Sequence, residues 1–346
     1  MSTFLNRNPY RRAHRRSLFA GFDPILTAAV GALLVIGTLL VYAATRDWYS
    51  ANGLDPEYYL KRHVINIVIG VFLAWGTTII DYRLLRAYTP FIWGLGVLGL
   101  ILVLIPGIGS EINGARAWIG LPFGFQIQPA EIAKISIIIG ISMLLSERSV
   151  VTIIAVSGAP TRWIVGLLLV AVIGGFVATK AGVVSEYQLK RLQSFVDPNA
   201  DTQGAGYQLR QARITVGSGG LLGTGLFDGP QTSGRFVPEQ QTDFIFTVAG
   251  EQLGFIGSGF IIFLLFIVLM RGFAIARRST DPYGTLVSTG VVAWFAFQIF
   301  ENIGMTLGLM PMTGVPLPFL SYGGSSMFAN LIGFGLLQNV HASHRG

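Results

Sequence analysis

The chain has 346 residues, of which 52% are hydrophobic and only 12% are charged, and its mean hydropathy is +0.60. A soluble domain carries about 25% charged residues, so this composition excludes a soluble globular enzyme and indicates a polytopic membrane protein. The net charge is +7, but the arginines are concentrated beside predicted helix ends, so no nucleic-acid partner is expected. The absence of cysteine and the presence of only four scattered histidines argue against a thiolate or zinc site.

Eight apolar runs predict transmembrane helices that could cross a hydrocarbon core of about 30 Å. They lie near residues 24–45, 64–80, 88–106, 129–145, 163–179, 244–270, 285–308 and 325–340. The predicted fold class is therefore an all-α polytopic membrane protein. We expect a basic N-terminal segment at 1–22, a single membrane domain at 23–340 and a short tail at 341–346.

Arginines are concentrated on one side of these predicted helices. That side holds the five arginines of segment 1–22 and further arginines within 83–86, 148–162, 271–278 and at position 345. The positive-inside rule then places both termini in the cytoplasm. The loop 107–127 and the large segment 180–243 would consequently lie outside the membrane on the opposite face.

Charged residues open the fourth predicted helix. Pro129 suits a first helical turn, Glu131 lies in that turn where the helix dipole favours an anion, and Lys134 is three residues further on. Two interpretations stay open: a helix-start salt bridge, or a direct role in the site, because charges within a membrane are functional candidates. Trp118, in the preceding loop, is by itself typical of an aromatic interfacial residue.

A glycine run at 217–225 follows Arg210 and Arg213. It is not a nucleotide-binding loop, because no Lys-Ser or Lys-Thr pair follows it and no strand–helix unit surrounds it. The pattern favours a turn that permits tight chain packing. Its backbone N–H groups, with the two arginines, could also cradle a pyrophosphate.

Asp243 lies where a polar loop gives way to the sixth predicted helix. Asp commonly caps a helix N-terminus, so capping is one interpretation. The other is a general base, because partial desolvation of a carboxylate at a membrane edge raises its pKa toward neutrality. Glu251 lies about two helical turns deeper and is either a packed structural acid or a member of the site.

The segment 311–324 contains three prolines within eight residues, at positions 311, 316 and 318, and therefore cannot form a continuous helix. At membrane depth, irregular backbone is tolerated only inside protein or along a wet cavity. The sequence therefore predicts a re-entrant or cavity-lining loop here.

Taken in order, these motifs resemble those of the SEDS family, the shape, elongation, division and sporulation proteins typified by RodA, FtsW and SpoVE. The resemblance covers nearly the whole chain and is closer to the RodA branch. It is carried by Gln128-Pro129-Ala130-Glu131 with Lys134, Gly217-Ser218-Gly219-Gly220, Pro238-Glu239 with Thr242-Asp243-Phe244-Ile245-Phe246, and Pro316-Leu317-Pro318-Phe319 with Ser321-Tyr322-Gly323-Gly324-Ser325.

The resemblance implies a peptidoglycan glycosyltransferase of cell elongation, with related roles in cell division. It would polymerise lipid II into glycan strands at the outer face of the bacterial cytoplasmic membrane and release undecaprenyl pyrophosphate. The implied partners are a class B penicillin-binding protein, which is a transpeptidase, other elongation-complex proteins and membrane lipids. Two alternatives remain: a lipid II flippase or transporter, and a non-catalytic scaffold for the transpeptidase.

Residue roles follow from the same resemblance. Asp243 matches the family's essential acid and would remove the proton from the acceptor sugar's 4-hydroxyl, which attacks the donor's anomeric carbon with inversion. The departing pyrophosphate needs charge neutralisation, either by arginines or by a divalent cation such as Mg²⁺ or Mn²⁺. The expected substrate-binding residues are Arg116, Trp118, Glu131, Lys134, Arg210, Arg213, Thr242, Ser321, Tyr322, Gly323 and Gly324.

The chain departs from the family pattern in one place. Family members usually have ten membrane helices and a Gln-Pro-Asp-Leu-Gly-Thr segment between the fifth and sixth, and both features are missing here. Segment 146–149 runs almost directly into residues 150–158, which look like the tail of the sixth helix. Losing a whole hairpin preserves the topology of the later loops, but it would leave the adjacent core exposed to lipid or open.

Overall fold

A computed structural model describes residues 21–112, 115–120, 126–147, 169 and 204–343. The helices are α1 (Pro24–Ala51), α2 (Tyr58–Ile79), α3 (Tyr82–Leu104), α4 (Pro129–Glu147), α5 (Ala205–Ser218), α6 (Pro230–Ser233), α7 (Ile245–Arg278), α8 (Pro282–Leu307) and α9 (Gly324–Ser343). The strands are β1 (Gly109–Ile112), β2 (Ala115–Gly120) and β3 (Gln126–Ile127).

Six of the described helices, α1, α2, α3, α4, α7 and α8, are long and apolar enough to cross a membrane. They correspond to six of the eight predicted spans and confirm the helical, polytopic membrane architecture. The predicted span at 325–340 forms α9, in which the buried amides Asn330, Gln338 and Asn339 lower the hydropathy. The predicted span at 163–179, apart from Leu169, and nearly all of segment 1–22 lie outside the described residues.

The start of α1 is fixed by a buried carboxylate. Asp23 accepts a hydrogen bond from the Leu26 N–H at 2.9 Å and caps the helix, while Pro24 occupies the first turn. The same carboxylate pairs with Arg271 on α7 and is completely buried. This contact ties α1 to α7 at one end of the helix bundle.

The glycine run packs tightly against a break in α7. At Gly254 the backbone adopts φ 65°, and a Cβ atom there would lie 2.2 Å from the Gly223 nitrogen. A Cβ on Gly219 would similarly lie 2.0 Å from the Gly250 carbonyl oxygen. Only glycine allows these backbones to approach so closely. The geometry therefore supports the tight-packing interpretation of this run.

A small antiparallel sheet joins α3 to α4, and the sequence did not predict it. The strand order is β1-β2-β3, with Gly109 opposite Ile119 and Ile119 opposite Ile127. The sequence between β1 and β2 is Asn113-Gly114, a dipeptide that favours two-residue hairpins. The sheet brings β2 and β3 beside the N-terminus of α4.

The proline-rich stretch between α8 and α9 is irregular and largely buried. Phe319, Leu320 and Ser321 are each at most 2% exposed. A Cβ on Gly37, in the middle of α1, would lie 2.7 Å from the Leu320 Cα. The stretch thus lies level with the middle of α1.

Candidate functional site

A cavity of about 440 Å³ opens where α2, the small sheet, the segment before α7 and the proline-rich loop meet. Six residues predicted from the sequence line it: Trp118, Thr242, Asp243, Tyr322, Gly323 and Gly324. Polar and aromatic residues outside the predicted substrate-binding set also line it, among them Tyr59, Arg62, Asn66, Glu239, Gln241 and Ser325. The fold therefore gathers four separate sequence segments around Asp243.

The amide of Asn302 holds Asp243 against the proline-rich loop. Asn302 lies on α8 and is completely buried. Its Nδ2 donates to the Asp243 carbonyl oxygen at 2.7 Å and to the Val315 carbonyl oxygen at 2.8 Å. One side chain therefore joins two walls of the cavity.

Asp243 does not occupy the cap position of α7. The helix begins at Ile245 with Phe244 at the N-cap, so the capping interpretation of Asp243 is wrong. The chain turns instead in the preceding segment, where the Asp243 N–H donates to the Glu239 carbonyl oxygen at 3.0 Å. The turn closes before the helix starts, which leaves the half-buried Asp243 on the cavity wall.

The segment before Asp243 is fixed by amide side chains. Gln240 is completely buried, and its Nε2 donates to the carbonyl oxygens of Ala44 on α1 and of Thr232 on α6, both at 2.8 Å. The Tyr322 N–H donates to the Gln241 carbonyl oxygen at 2.9 Å. These bonds attach the segment to α1 on one side and to the proline-rich loop on the other.

Glu251 is a packed structural acid. It is completely buried on α7, and its carboxylate accepts hydrogen bonds from the N–H groups of Gln231 and Thr232, at 2.7 and 2.8 Å, and from the Thr232 hydroxyl at 2.5 Å. It does not line the cavity. Because Thr232 in turn binds Gln240, Glu251 supports the segment that carries Asp243 from a distance.

Arg62 is the only basic side chain among the described residues that line the cavity. Its guanidinium lies 4.8 Å from the centre of the Tyr58 ring. Burial raises the pKa of the nearby Tyr322 phenol, and the charge of Arg62 opposes that rise. In the sequence, Arg62 is only one charge in a short loop between two predicted helices. Its place beside the pair Tyr58-Tyr59 at a helix start was the available signal.

Glu131 and Lys134 form the predicted ion pair away from the cavity lining. Lys134 Nζ lies 2.7 Å from Glu131 Oε1, and Glu131 is 5% exposed. The lysine also lies 5.4 Å from the centre of the Trp294 ring on α8. The pair therefore links α4 to α8, as the salt-bridge interpretation expected.

Three arginines expected near a pyrophosphate lie elsewhere. Arg213 donates to the Leu307 and Gly308 carbonyl oxygens, at 3.1 and 2.8 Å, and so closes the end of α8. Arg116 lies 3.8 Å from Glu111 in the small sheet. Arg210 is carried by α5. None of the three lines the described cavity, and their predicted role at a pyrophosphate stays a prediction.

Ser321 contributes to the shape of the proline-rich loop rather than to the cavity surface. It is 2% exposed, and its hydroxyl oxygen accepts a hydrogen bond from the Leu317 N–H at 2.9 Å. This bond closes the turn in which Phe319 adopts φ 64°, a conformation that costs energy for a bulky residue. Ser321 therefore positions its neighbour Tyr322, which does line the cavity.

The donor set of the cavity bears on metal binding. The described part of the chain contains no group of three or more His, Cys, Asp or Glu side chains that could hold a metal by themselves. The cavity does contain the carboxylates of Glu239 and Asp243. Mg²⁺ is commonly held by one or two carboxylates together with substrate phosphates. A divalent cation would therefore fit these carboxylates only as an ion that the substrate phosphates help to hold.

Residues 24–152 and 148–346 match the family model FtsW/RodA/SpoVE, described as a cell cycle protein. A probable peptidoglycan glycosyltransferase FtsW from Trichlorobacter lovleyi is 34% identical over 97% of this chain and 95% of its own length. Stage V sporulation protein E of Bacillus subtilis is 34% identical over 92% of this chain and 96% of its own. Peptidoglycan glycosyltransferase MrdB of Escherichia coli is 32% identical over 90% of this chain and 93% of its own length.

Two solved structures are also similar. One chain comes from work on a peptidoglycan synthase complex that coordinates polymerization and crosslinking; it has a TM-score of 0.74, 27% identity, and coverage of 93% of this chain and 98% of its own. The rod shape determining protein RodA of Thermus thermophilus has a TM-score of 0.62, 25% identity, and coverage of 95% and 100%.

The comparisons also bear on the missing hairpin. The two matched segments of the family model meet at residues 148–152, beside the place where the sequence lacks a helix pair. The alignment with the FtsW relative spans 378 positions, more than the 346 residues of this chain, so that relative has segments that are absent here. Both observations agree with the loss of an internal segment.

Proposed function

This chain belongs to the FtsW, RodA and SpoVE family of multi-pass membrane proteins, and we propose that it is a peptidoglycan glycosyltransferase that polymerises lipid II into glycan strands. The relatives FtsW and MrdB carry the name peptidoglycan glycosyltransferase. FtsW and MrdB are almost equally similar to this chain, with 34% and 32% sequence identity. The resemblance of the motifs to RodA favours a role in elongation over one in division.

The observation that carries the proposal is the cavity that places Asp243 and Arg62 among aromatic and amide side chains. A sugar–pyrophosphate–lipid substrate presents hydroxyl groups, ring faces and negative charge. The cavity offers a carboxylate, polar amides, the rings of Trp118 and Tyr59, and one guanidinium. Ligand sites typically combine such apolar and aromatic walls with a few oriented polar groups.

In the proposed reaction, Asp243 is the general base. Its carboxylate accepts the proton of the acceptor sugar's 4-hydroxyl as that oxygen attacks the anomeric carbon of the donor. The bond from the anomeric carbon to the pyrophosphate oxygen breaks, the configuration inverts, and undecaprenyl pyrophosphate leaves. A positioned base contributes about 100- to 10,000-fold to such a step. The bond from Asn302 to the Asp243 carbonyl oxygen supports this role by fixing the backbone beneath the carboxylate.

Arg62 is our candidate for the group that neutralises the leaving pyrophosphate. An Arg guanidinium binds phosphate oxygens in a bidentate manner and retains its charge at any physiological pH. The position of Arg62 in the cavity lining supports this assignment over Arg116, Arg210 and Arg213. A divalent cation, when bound, would supply additional positive charge to the same phosphates.

The setting follows from the same proposal. The protein would lie in the bacterial cytoplasmic membrane with both termini in the cytoplasm, so that the cavity opens on the outer face, where lipid II is consumed. A class B penicillin-binding protein would crosslink the glycan strands that this protein makes. The similarity to a chain of a synthase complex for polymerization and crosslinking supports such a partner.

Polymerisation by the purified protein tests the proposal. The full chain is incubated with labelled lipid II, with and without a class B penicillin-binding protein, and the product is read as glycan length. We expect polymers of several disaccharides whose yield rises with the partner. Binding of lipid II without any polymer, in either condition, would favour a transporter or a scaffold instead.

A further inference from the structure

Two buried amide oxygens in the cavity accept no hydrogen bond from the described protein. Asn66 on α2 is 4% exposed and Gln241 is 2% exposed, and both line the cavity. Asn66 Oδ1 and Gln241 Oε1 lack any partner within the described structure. More than about nine in ten buried polar groups in proteins have a hydrogen-bond partner. Two such acceptors belong to residues that line one cavity, so a ligand that enters this cavity is a candidate for the missing partner.

The chemistry of Gln241 fixes which end of its amide is free. Its Nε2 donates to Glu239 Oε2 at 3.2 Å. A carboxylate only accepts hydrogen bonds, so the amide nitrogen must face Glu239 and the amide oxygen must be the end without a partner. The missing partner of Gln241 is consequently a hydrogen-bond donor.

We propose that Asn66 and Gln241 recognise the sugar end of the substrate by accepting hydrogen bonds from its hydroxyl or acetamido N–H groups. The inference rests on the proposed function and deepens it, because it names the part of lipid II that these residues contact. On the leaving side of the reacting bond, the pyrophosphate oxygens and the isoprenoid chain offer no donors. An N-acetylated disaccharide offers both O–H and N–H donors, which match two neutral acceptors.

A metal ion fits these two oxygens less well than a sugar does. Both are neutral amide oxygens, and the described residues contain no cluster of three acidic or histidine side chains beside them. A site built to hydrogen-bond a substrate hydroxyl also discriminates strongly, because the analogue without that group leaves the buried partner unpaired. The pair would thus contribute specificity for the sugar.

A binding cycle between protein acceptors and substrate donors tests the proposal. The variants are Asn66→Leu and Gln241→Met, which keep side-chain size and remove the acceptor. Their matched controls are Asn330→Leu and Gln298→Met, two buried amides whose oxygens also lack partners but which do not line the cavity. Each protein is titrated with lipid II and with analogues in which one sugar hydroxyl is replaced by hydrogen or the acetamido nitrogen by oxygen.

We expect at least one analogue to bind the wild-type protein about 10- to 100-fold more weakly, the scale of one lost hydrogen bond. In Asn66→Leu or Gln241→Met, the same analogue and lipid II should bind with equal affinity. Both control variants should bind the analogue about 10- to 100-fold more weakly than lipid II, as the wild-type protein does. Each variant is interpreted separately, so the test stands if one of them does not fold.

The inference would be overturned if, for every analogue, the loss of affinity caused by the analogue and the loss caused by the substitution simply added in both variants. A changed Mg²⁺ requirement with additive losses would also overturn it and assign the oxygens to a cation. Failure of the proposed function has a different signature, namely wild-type protein that forms no polymer from lipid II. Normal polymerisation without coupling contradicts only the inference.

Discussion

Replacing Asn302 with Leu separates the position of Asp243 from its chemistry. The change keeps side-chain volume but removes the Nδ2 donor that holds the Asp243 and Val315 carbonyl oxygens, at 2.7 and 2.8 Å. Each carbonyl left without a donor in a buried setting costs about 1–3 kcal/mol. We therefore expect the free energy of unfolding to fall by about 2–6 kcal/mol. Water that hydrogen-bonds to either carbonyl would reduce this loss.

Polymerisation should fall more than substrate binding in the Asn302→Leu variant. A displacement of about 1 Å in a reacting group can cost about 100-fold in rate, whereas the other cavity residues proposed to contact lipid II are unchanged. Unfolding in detergent and lipid II polymerisation, both compared with Gln298→Met on the same helix, measure the two effects. An Asn302→Leu protein as stable and as active as that control would refute the clamp described here.

The remaining predictions concern topology and ion pairs. A reporter fused at Gly204 should be external, and a cytoplasmic signal would contradict the proposed orientation. Reversing both charges of Glu131 and Lys134 should recover stability that either single reversal loses; additive losses would mean that the pair is not coupled. Burial acts to raise the pKa of Asp23, but the hydrogen bonds from Arg271 and the Leu26 N–H, together with the positive charge of Arg271, outweigh it and hold that pKa below its usual value. The contribution of ionised Asp23 to the free energy of unfolding should therefore be complete above about pH 3.9 and be lost as the pH falls through the folded-state pKa. Unfolding measured against pH should show this loss in the wild-type protein and not in Asp23→Asn.

The membrane helices were predictable because continuous apolar runs have few alternatives to a helix in a bilayer. The proline-rich loop was predictable for the converse reason, since its prolines forbid a helix at 311–318. Residues 148–203, apart from Leu169, lie outside the described structure, so the predicted loss of a hairpin is supported by the comparisons alone.

The site was only partly predictable. Asp243, Thr242 and Tyr322 stood out because they belong to recognisable motifs. Arg62 and Asn66 did not, because a charge at a helix start and an amide inside an apolar helix have common structural explanations. Their meaning depends on which segments meet around the cavity, and that is a long-range property of the fold.

Capping was one of two interpretations of Asp243; it came from a local rule, and that rule failed by one residue. The turn closed by the Glu239 carbonyl oxygen ends at Asp243, and Phe244 then takes the cap position. The positions of the arginines also depend on long-range packing. Arg213 is near the glycine run in sequence but binds the end of α8, because α5 packs there.

Lipid II polymerisation by Asp243→Asn tests the central claim most directly. Asn keeps the size and shape of Asp but cannot accept the proton. The proposed mechanism predicts a folded variant that still binds lipid II and polymerises it about 100-fold more slowly or worse, the usual scale of general-base catalysis. A folded Asp243→Asn protein that makes glycan strands at the wild-type rate would contradict the assignment of Asp243 as the base.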